Sequence, residues 1–442
     1  MYNKRFFCFT SPKFFHLRIY MIDLVRIQIP VSMEYMVEIY DRETGRLTGG
    51  EVDISLFHQY GCKLAAGSVD RDDNGVTTVH RLYHPFESIP SSNSSLAFKI
   101  RAGGHNYFPH VELNASPAKL LTGQNVYGTA DFEKCISSLL YVFSTSFPGI
   151  ESVLDYHLAE VCQMDFTYSA MVENLFIAKQ IVQALRHVSS GQIRSSRETY
   201  ETSVLWNAGS SHCVREVYLK HFEVKRQIER LTKLQKQSPK DYQAFQLEQL
   251  NKPEVLAFAQ NAVRFEAKVK KRMFERLGIP TRVTDLVNYA ESYKGDLAQF
   301  MWNQSFKDIF DTFKGSDVNV YDDEKVLEAL KARYYTVNKT GKVNYSKALR
   351  IMRFFRSIKN EGFVQVKATT PHRTFYDNLK EVSAVVPKAT LQNMHTVKNN
   401  VVPLIRLVNV DFAKQHPVGW QEPIHMSQQI DNSLKQPLRL VG

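Results

Sequence analysis

Cysteine is sparse in this chain, and none of it follows a metal-binding pattern. Five cysteines are spread over 442 residues, and no two of them form a CxxC pair, the spacing typical of structural zinc sites. An odd number of scattered thiols also argues against a disulfide framework. The cysteine content therefore predicts a protein of a reducing compartment without structural zinc.

Long apolar runs and nucleotide-binding glycine motifs are absent as well. The aromatic opening, residues 1–20, is interrupted by lysines and arginines, so neither a signal-peptide core nor a membrane span fits it. Met21 followed by IDLVRIQIP is typical of a natural start, which predicts that residues 1–20 are an upstream extension. No GxxxxGK(S/T) loop, GxSxG elbow or Rossmann fingerprint occurs, which weighs against nucleotide hydrolysis and serine hydrolysis.

Positive charge is in excess. The 56 lysines and arginines outnumber the 45 acidic residues, giving a formal net charge of +11 and an isoelectric point near 9.2. Such a charge attracts polyanions over distances comparable to the Debye length, so nucleic acid is the first candidate partner. The length exceeds that of one average domain, which predicts two folded units.

The pattern of apolar residues changes along the chain. Short alternating segments predict a mixed or antiparallel sheet, with strands at about 22–100, 107–113, 163–169, 201–206, 214–220 and 264–269. Helical periodicity predicts helices at 131–146, 171–188 and 222–237. After Pro280 the pattern is mainly helical, with a loop around 338–342. We therefore predict an α+β protein with a domain boundary near residue 315.

Three acidic residues on predicted strands form a candidate metal site. They are Glu112 in HVELN, Asp165 in QMDFT and Glu266 in RFEAK. Carboxylate oxygens suit Mg²⁺ or Mn²⁺ better than zinc. Because an acidic residue on one face of a strand is usually just solvated, each of the three alone is also compatible with an ordinary surface role.

Tyr218 is a candidate nucleophile. It lies two residues before Lys220 in REVYLKHFE, which places both side chains on one face of a strand. A phenol beside an ammonium can attack a phosphate, because the cation favours the phenolate and offsets the phosphate charge. The alternative is that Tyr218, one of 21 tyrosines, only packs in the sheet. The residues alone leave both interpretations open.

Several ordered segments resemble the gene II and gene X replication proteins of filamentous phages. The likeness runs from about Met21 to about Pro423. It is carried by HPFESIP, VELNASPAKLLTGQNVYGT, IAKQIVQALRHVSSGQ, the WN of VLWN, YLKHFE, VRFEAKVK, NVYDDEKVLEAL and NNVVPLIRLVNVDF. The resemblance implies a metal-dependent endonuclease that nicks one strand at a rolling-circle origin, stays joined to the 5′ end through a tyrosine, and rejoins the displaced strand.

The same resemblance implies the organisation and partners of the protein. It implies a nuclease domain of the rolling-circle initiator type over residues 21–315 and a mainly helical DNA-binding domain over residues 316–442. The implied partners are origin DNA, as duplex and as displaced single strand, and the host helicase and replication machinery. The implied location is the host bacterial cytoplasm, with no role for a membrane.

A more distant likeness reaches the rolling-circle initiators of staphylococcal plasmids. Their glutamate strand, aspartate strand, Tyr-x-Lys strand and final Arg-x-Glu strand are similar in order to segments of this chain. This implies Tyr218 as the nucleophile with Lys220 beside it. It also implies Glu112, Asp165 and Glu266 as ligands of Mg²⁺ or Mn²⁺.

Other positions extend or depart from that pattern. Arg264 and Lys119 are implied as DNA contacts. Gln163 stands where the plasmid pattern has arginine, and the paired histidines of the wider nuclease class are missing, so a carboxylate-rich metal site must replace them. Tyr293 and Tyr321 match tyrosines of the phage family and are reserve nucleophiles.

Two basic segments near the C-terminus are candidates for DNA recognition. Residues 350–359 are basic and aromatic, and residues 370–380 begin with a Thr-Pro helix-start signal and resemble the recognition helix of a winged-helix unit. The predicted phosphate contacts are Arg353, Arg356, Arg373 and Lys380. The alternative is an ordinary amphipathic helix with its basic side in water.

Three functions therefore compete. A nicking-joining enzyme leaves protein on the 5′ phosphate of the cut strand. A non-catalytic DNA-binding replication regulator binds the origin without cutting it. A metal nuclease that uses water leaves a free 5′ phosphate.

Overall fold

The structure is a computed structural model. It describes residues 21–71, 77–186, 188, 200–311, 323–339, 341–386, 388–393 and 415–428. The predicted upstream extension, residues 1–20, and the reserve nucleophile Tyr321 lie outside the described residues.

Strands and helices follow one another along the described chain. The strands are β1 Met21–Pro30, β2 Val37–Tyr40, β3 Leu47–Glu51, β4 Ala65–Arg71, β5 Thr77–Tyr83, β6 Glu87–Pro90, β7 Ser95–Arg101, β8 Gly103–Gly104, β9 His110–Ala115, β10 Glu160–Met171, β11 Ser203–Trp206, β12 Cys213–Leu219, β13 Ala262–Lys270, β14 Thr336–Val337 and β15 Val343–Asn344. The α-helices are α1 Pro117–Thr122, α2 Phe132–Ser146, α3 Leu175–Leu185, α4 Lys220–Gln237, α5 Asp241–Leu250, α6 Pro253–Gln260, α7 Lys271–Arg276, α8 Val283–Ser292, α9 Leu297–Asp311, α10 Asp323–Arg333, α11 Ser346–Glu361, α12 Phe363–Thr369, α13 His372–Val382 and α14 Lys388–Asn393. Short 3-10 helices occur at Met33–Tyr35, Ile54–Tyr60, Ile150–Ser152 and Tyr156–Leu158.

Eight of these strands form the central sheet. Their order is β11-β12-β13-β10-β1-β9-β7-β6, and every neighbouring pair is antiparallel. The predicted α+β class is confirmed, and the sheet is antiparallel rather than mixed. Its alternating sequence gives it one apolar and one polar face, because successive side chains of a strand point to opposite sides.

The apolar face carries the main core. Val25, Phe166 and Phe265 are buried there, together with side chains from α2 and α9. Aromatic rings join the layers: Phe265 and Trp302 of α9 lie 6.2 Å apart between centroids. Burial of so much apolar surface on one side holds the strand register, because a slip by one residue would turn these side chains to the other face.

The predicted helices and strands agree with this architecture, with two shifts. The helix predicted at 131–146 is α2, and the one predicted at 171–188 begins later, at Leu175, because β10 runs on to Met171. Lys220, predicted as the end of a strand, is the first residue of α4. Its buried neighbours Val224 and Leu231 follow the helical period, which explains why the strand stops at Leu219.

A second, separate core is formed by α10 to α14. It includes Ile351, Phe355 and Phe375, and the loop predicted at 338–342 lies between the strands of the short hairpin β14–β15. Residues 312–322 are not described, so the boundary predicted near residue 315 stays a prediction. Residues 415–428 were predicted as part of the helical domain, but Met426 is buried in the core of the sheet. Among the described helices, none is long and apolar enough to cross a membrane.

Candidate active site

Tyr218 lies on the polar face of the sheet, at the end of β12. It stands opposite Arg264 of β13, and its hydroxyl donates a hydrogen bond to Oε2 of Glu266 at 3.0 Å. Burial, and next the charge of Glu266, raise the pKa of Tyr218 well above its usual value. The tyrosine is therefore a neutral phenol in this structure, and Glu266 is the carboxylate placed to accept its proton.

Asp165 of β10 lies beside this pair. Strand pairing puts Asp165 opposite Lys268, two residues along β13 from Glu266. Burial first raises the pKa of both carboxyl groups; for Asp165 the next cause is the charge of Glu266. Lys268 offsets part of the charge, since its Nζ lies 3.4 Å from Oε1 of Glu266 and 2.9 Å from Oε2 of Glu216. Gln163, which replaces the arginine of the plasmid pattern, donates to Oδ1 of Asp165 at 2.8 Å.

A third acidic residue, Asp23, was missed from the sequence. It is 8% exposed, accepts hydrogen bonds from Ser116 and Asn125, and contributes to raising the pKa of both Asp165 and Glu266. Counted from Arg26, strict alternation places Asp23 on the apolar face. A bulge between Ile22 and Leu24 makes Asp23 an extra residue and turns it to the acidic side. A carboxylate inside an otherwise apolar strand start was the available signal.

Glu112 does not join the acidic group, so the structure does not bring the three predicted metal ligands together. Glu112 stands opposite Gln28 of β1, which stands opposite Glu160 of β10. Glu160 is five residues from Asp165, which is about 17 Å along a strand. Glu112 instead forms ion pairs with Arg26 and Arg101. Nowhere in the part of the chain that the structure describes are three or more His, Cys, Asp or Glu side chains gathered as a metal site.

Lys220 is close to Tyr218 but has other partners. It is completely buried, and its Nζ lies 5.8 Å from the tyrosine ring centroid. The ammonium donates to Oδ1 of Asn125 at 3.3 Å and pairs with Glu223 at 2.8 Å. The predicted stabilisation of a phenolate by Lys220 is therefore not seen, because burial and Glu266 keep the phenol protonated. Lys220 holds Asn125, which in turn binds Asp23.

Of the two predicted DNA contacts in this region, Arg264 does not reach the surface. Arg264 is 1% exposed and donates to Oγ1 of Thr167 at 3.1 Å and to the carbonyl oxygen of Val126. Its guanidinium therefore braces the loop after α1 and does not face a phosphate outside the protein. Lys119 is half-buried near Asp23, and burial lowers its pKa.

The reserve nucleophile Tyr293 lies apart from this group. Its ring packs against Tyr289 at 5.9 Å and Phe300 at 5.7 Å between centroids, on the edge of the main core. This is the packing role that most tyrosines have.

In the helical domain, three of the four predicted phosphate contacts are exposed, and among the described residues none of the three has a close acidic partner. Arg353 and Lys380 are exposed, and Arg373 is 96% exposed with only a 3.9 Å pair to Asp377. Arg356 is instead tied to Asp323 at 2.8 Å.

A segment beyond the helical domain reaches the site, and no sequence pattern indicates it. The side-chain amide of Gln415 bonds both main-chain groups of Ser169, accepting from its N–H at 2.7 Å and donating to its carbonyl at 3.0 Å. Ser169 stands opposite Arg264 on β13. His416 stacks on Trp420 at 3.7 Å and bonds the carbonyl of Gly128 at 2.7 Å. Residues 415–420 thus support the loop that holds Arg264.

Comparisons with known proteins place the chain in one family. Residues 21–296 match the family model described as the N-terminal part of the replication-associated protein that is the phage gene II product, and residues 337–426 match the model of its C-terminal part. The replication-associated protein of this type from Salmonella phage IKe is 41% identical over 410 residues, covering 91% of this chain and 97% of the relative. That of Enterobacteria phage M13 is 39% identical over 417 residues, covering 91% and 99%. No solved structure matches the chain. The chain therefore belongs to the family of gene II replication-associated proteins of filamentous phages.

Proposed function

We propose that the protein starts rolling-circle replication by nicking one strand of its origin through Tyr218 and later rejoins the displaced strand. The observation that carries this proposal is the 3.0 Å hydrogen bond from the Tyr218 hydroxyl to Glu266, on the sheet face that also holds Asp165. Asp165 and Glu266 are themselves buried, at 3% and 7% exposure, so their charges act in a site largely shielded from water. A nucleophile, its base and a second carboxylate thus share one site.

The cut is a transesterification. The Tyr218 oxygen attacks the scissile phosphorus while its proton passes to Oε2 of Glu266, and the bond from phosphorus to the 3′ oxygen breaks. The products are a 3′ hydroxyl and a 5′ phosphate esterified to Tyr218. Because one phosphodiester is exchanged for another, a 3′ hydroxyl can attack the phosphotyrosine and rejoin a strand.

We also propose that Asp165 and Glu266, with Asp23 nearby, hold Mg²⁺ or Mn²⁺. The supporting observation is electrostatic: burial, and next repulsion among these three carboxyls, raise the pKa of Asp165 and Glu266, so added positive charge would stabilise their ionised forms. Mg²⁺ commonly binds one or two carboxylates and completes its shell with water and substrate phosphate oxygens, so three gathered protein ligands are not required. The ion would polarise the scissile phosphate.

Recognition of origin duplex is proposed for the helical domain. Helices α12 and α13 are joined by a turn at Thr370 and Pro371, and α13 presents exposed Arg373 and Lys380. A helix entering the major groove after such a turn is a common arrangement for sequence readout. The proposal places the reaction in the host bacterial cytoplasm, with the host helicase and replication machinery as partners.

The test is to identify the atom joined to DNA. Supercoiled origin plasmid is incubated with the full chain and Mg²⁺, digested with nuclease and protease, and the adduct peptide is sequenced by mass spectrometry. We expect the nucleotide on Tyr218. Nicks with a free 5′ phosphate would favour hydrolysis by water, and specific binding without any nick would favour a non-catalytic regulator.

A further inference from the structure

The polar face of the sheet continues away from Tyr218 to a group of basic side chains. Arg26 of β1 and Arg101 of β7 flank Glu112 of β9, at 3.6 and 3.7 Å. Their side chains are 37% and 40% exposed, while that of Glu112 is 12% exposed. The carboxylate therefore lies beneath two guanidinium groups that reach solvent. Lys99 stands opposite Glu112 on β7, so three cations surround one anion.

These arginines keep most of their hydrogen-bonding capacity. Both distances to Glu112 exceed the roughly 2.7–2.9 Å of a charge-assisted hydrogen bond. The Nε of Arg26 is buried and makes no hydrogen bond to any described residue, and the same holds for Oδ1 of Asn114, which stands opposite Arg26. Buried polar atoms without partners are rare in folded proteins and often mark a position filled by a bound group. A guanidinium has five donors suited to phosphate oxygens.

An aromatic ring completes this surface. Phe86, in the connection between β5 and β6, is 57% exposed, and the Nζ of Lys99 lies 5.7 Å from its ring centroid. Unpaired bases stack on exposed aromatic rings, whereas bases in a duplex have no free faces. Positive charge and an aromatic platform together are the chemistry that binds single-stranded nucleic acid.

We propose that Arg26, Arg101, Lys99 and Phe86 form a cradle for single-stranded DNA. This inference rests on the proposed function, since the cradle shares the polar face with Tyr218 and its far strand, β7, lies five strands from β12, about 24 Å at the usual strand spacing. A strand cut at Tyr218 crosses this face, with its phosphates on the arginines and a base on Phe86. Glu112, predicted as a metal ligand, instead sets the charge of the cradle.

Binding of an unrelated single strand tests the cradle directly. A labelled oligothymidylate is titrated with the full chain, and affinity is measured by fluorescence anisotropy at several salt concentrations. The double variant R26A/R101A should bind at least about tenfold more weakly, and its log–log salt slope should fall by about 1.4, or about 0.7 for each lost phosphate contact. The matched control R272A/R276A removes two arginines of α7, beside the main core, and should change neither value.

Glu112→Gln separates the cradle from a metal site. The amide still accepts from a guanidinium but no longer repels phosphate, so single-strand affinity should rise a few-fold. The Mg²⁺ concentration that gives half-maximal nicking should stay at the wild-type value. Weaker single-strand binding or a higher Mg²⁺ requirement in E112Q would overturn the proposal.

Failure of the cradle can be told from failure of the proposed function. Tyr218→Phe should bind oligothymidylate as tightly as the wild type while forming no adduct. R26A/R101A should raise the DNA concentration needed for nicking but still form the Tyr218 adduct at saturation. If R26A/R101A binds the single strand within twofold of R272A/R276A, the cradle is wrong even where the adduct maps to Tyr218.

Discussion

Replacing Tyr218 by phenylalanine removes one oxygen atom and leaves the rest of the site in place. The ring occupies the same position on β12, and Lys220 keeps its bonds to Asn125 and Glu223. What disappears is the proposed nucleophile and the hydrogen bond to Glu266. The expected result is complete loss of the covalent DNA adduct, by at least about a thousandfold, because the oxygen atom that would form the bond is gone.

The cost to folding should be small enough to separate chemistry from stability. A hydrogen bond to a carboxyl group contributes about 1–3 kcal/mol, and Glu266 retains Lys268 at 3.4 Å. For a large domain, each kcal/mol lowers the melting temperature by roughly 2–4 °C. The variant should therefore melt roughly 2–10 °C below the wild type and remain folded at 25 °C.

The assay combines a nicking gel with differential scanning fluorimetry on the same preparation. A denaturing gel of 5′-labelled origin strand reports the protein-linked product, and the melting curve reports folding. Tyr293→Phe is the matched control, since Tyr293 packs on the core edge and should keep full nicking activity. An adduct formed by folded Tyr218→Phe, or lost in Tyr293→Phe, would refute the assignment of the nucleophile.

Further substitutions test the surroundings of the tyrosine. Asp165→Asn should reduce nicking and raise the melting temperature at pH 8 without divalent metal; because the pKa of Asp165 is raised on folding, its ionisation lowers stability as pH rises, so the gain should shrink toward pH 5 and an equal gain at both values would contradict this. Arg264→Lys should lower the free energy of unfolding in urea by about 1–3 kcal/mol, while a fall of about one in the salt slope of DNA binding would restore a phosphate role. Gln415→Ala should cost about 1–3 kcal/mol in the same assay, since it leaves both main-chain groups of Ser169 without that partner; an unchanged unfolding curve would show that this contact is dispensable.

Alternation along single strands was sufficient to predict part of the site. A period of two places Tyr218, Asp165 and Glu266 on strands whose opposite faces are apolar, and all three point to the polar face. The register between strands is not visible in one sequence, because it depends on turns and on packing of the far face. For that reason Glu112, although correctly placed on a strand, was assigned to a site that lies about 17 Å farther along the sheet.

Two other features depend on contacts between distant parts of the chain. The bulge at Asp23 breaks the alternation by one residue, so a pattern-based prediction puts that carboxylate on the wrong face. The bonds from Gln415 to Ser169 span 246 residues and use a side-chain amide, which has no periodic signal. Lys220 illustrates a local limit: strand and helix meet between Leu219 and Lys220, within the error of a pattern-based boundary.

The electrostatics of Glu266 suit a site that has to cut and rejoin. Cutting requires a base that takes the proton of Tyr218, and joining requires an acid that returns it to the departing phenol oxygen. An ordinary surface glutamate is almost never protonated near neutrality and would serve only the first step. Burial, and next the charge of Asp23, raise the pKa of Glu266, which brings its protonated form within reach at neutral pH. Asp23 therefore contributes to the proposed joining step through its charge on Glu266, and Asp23→Asn should slow joining more than cutting.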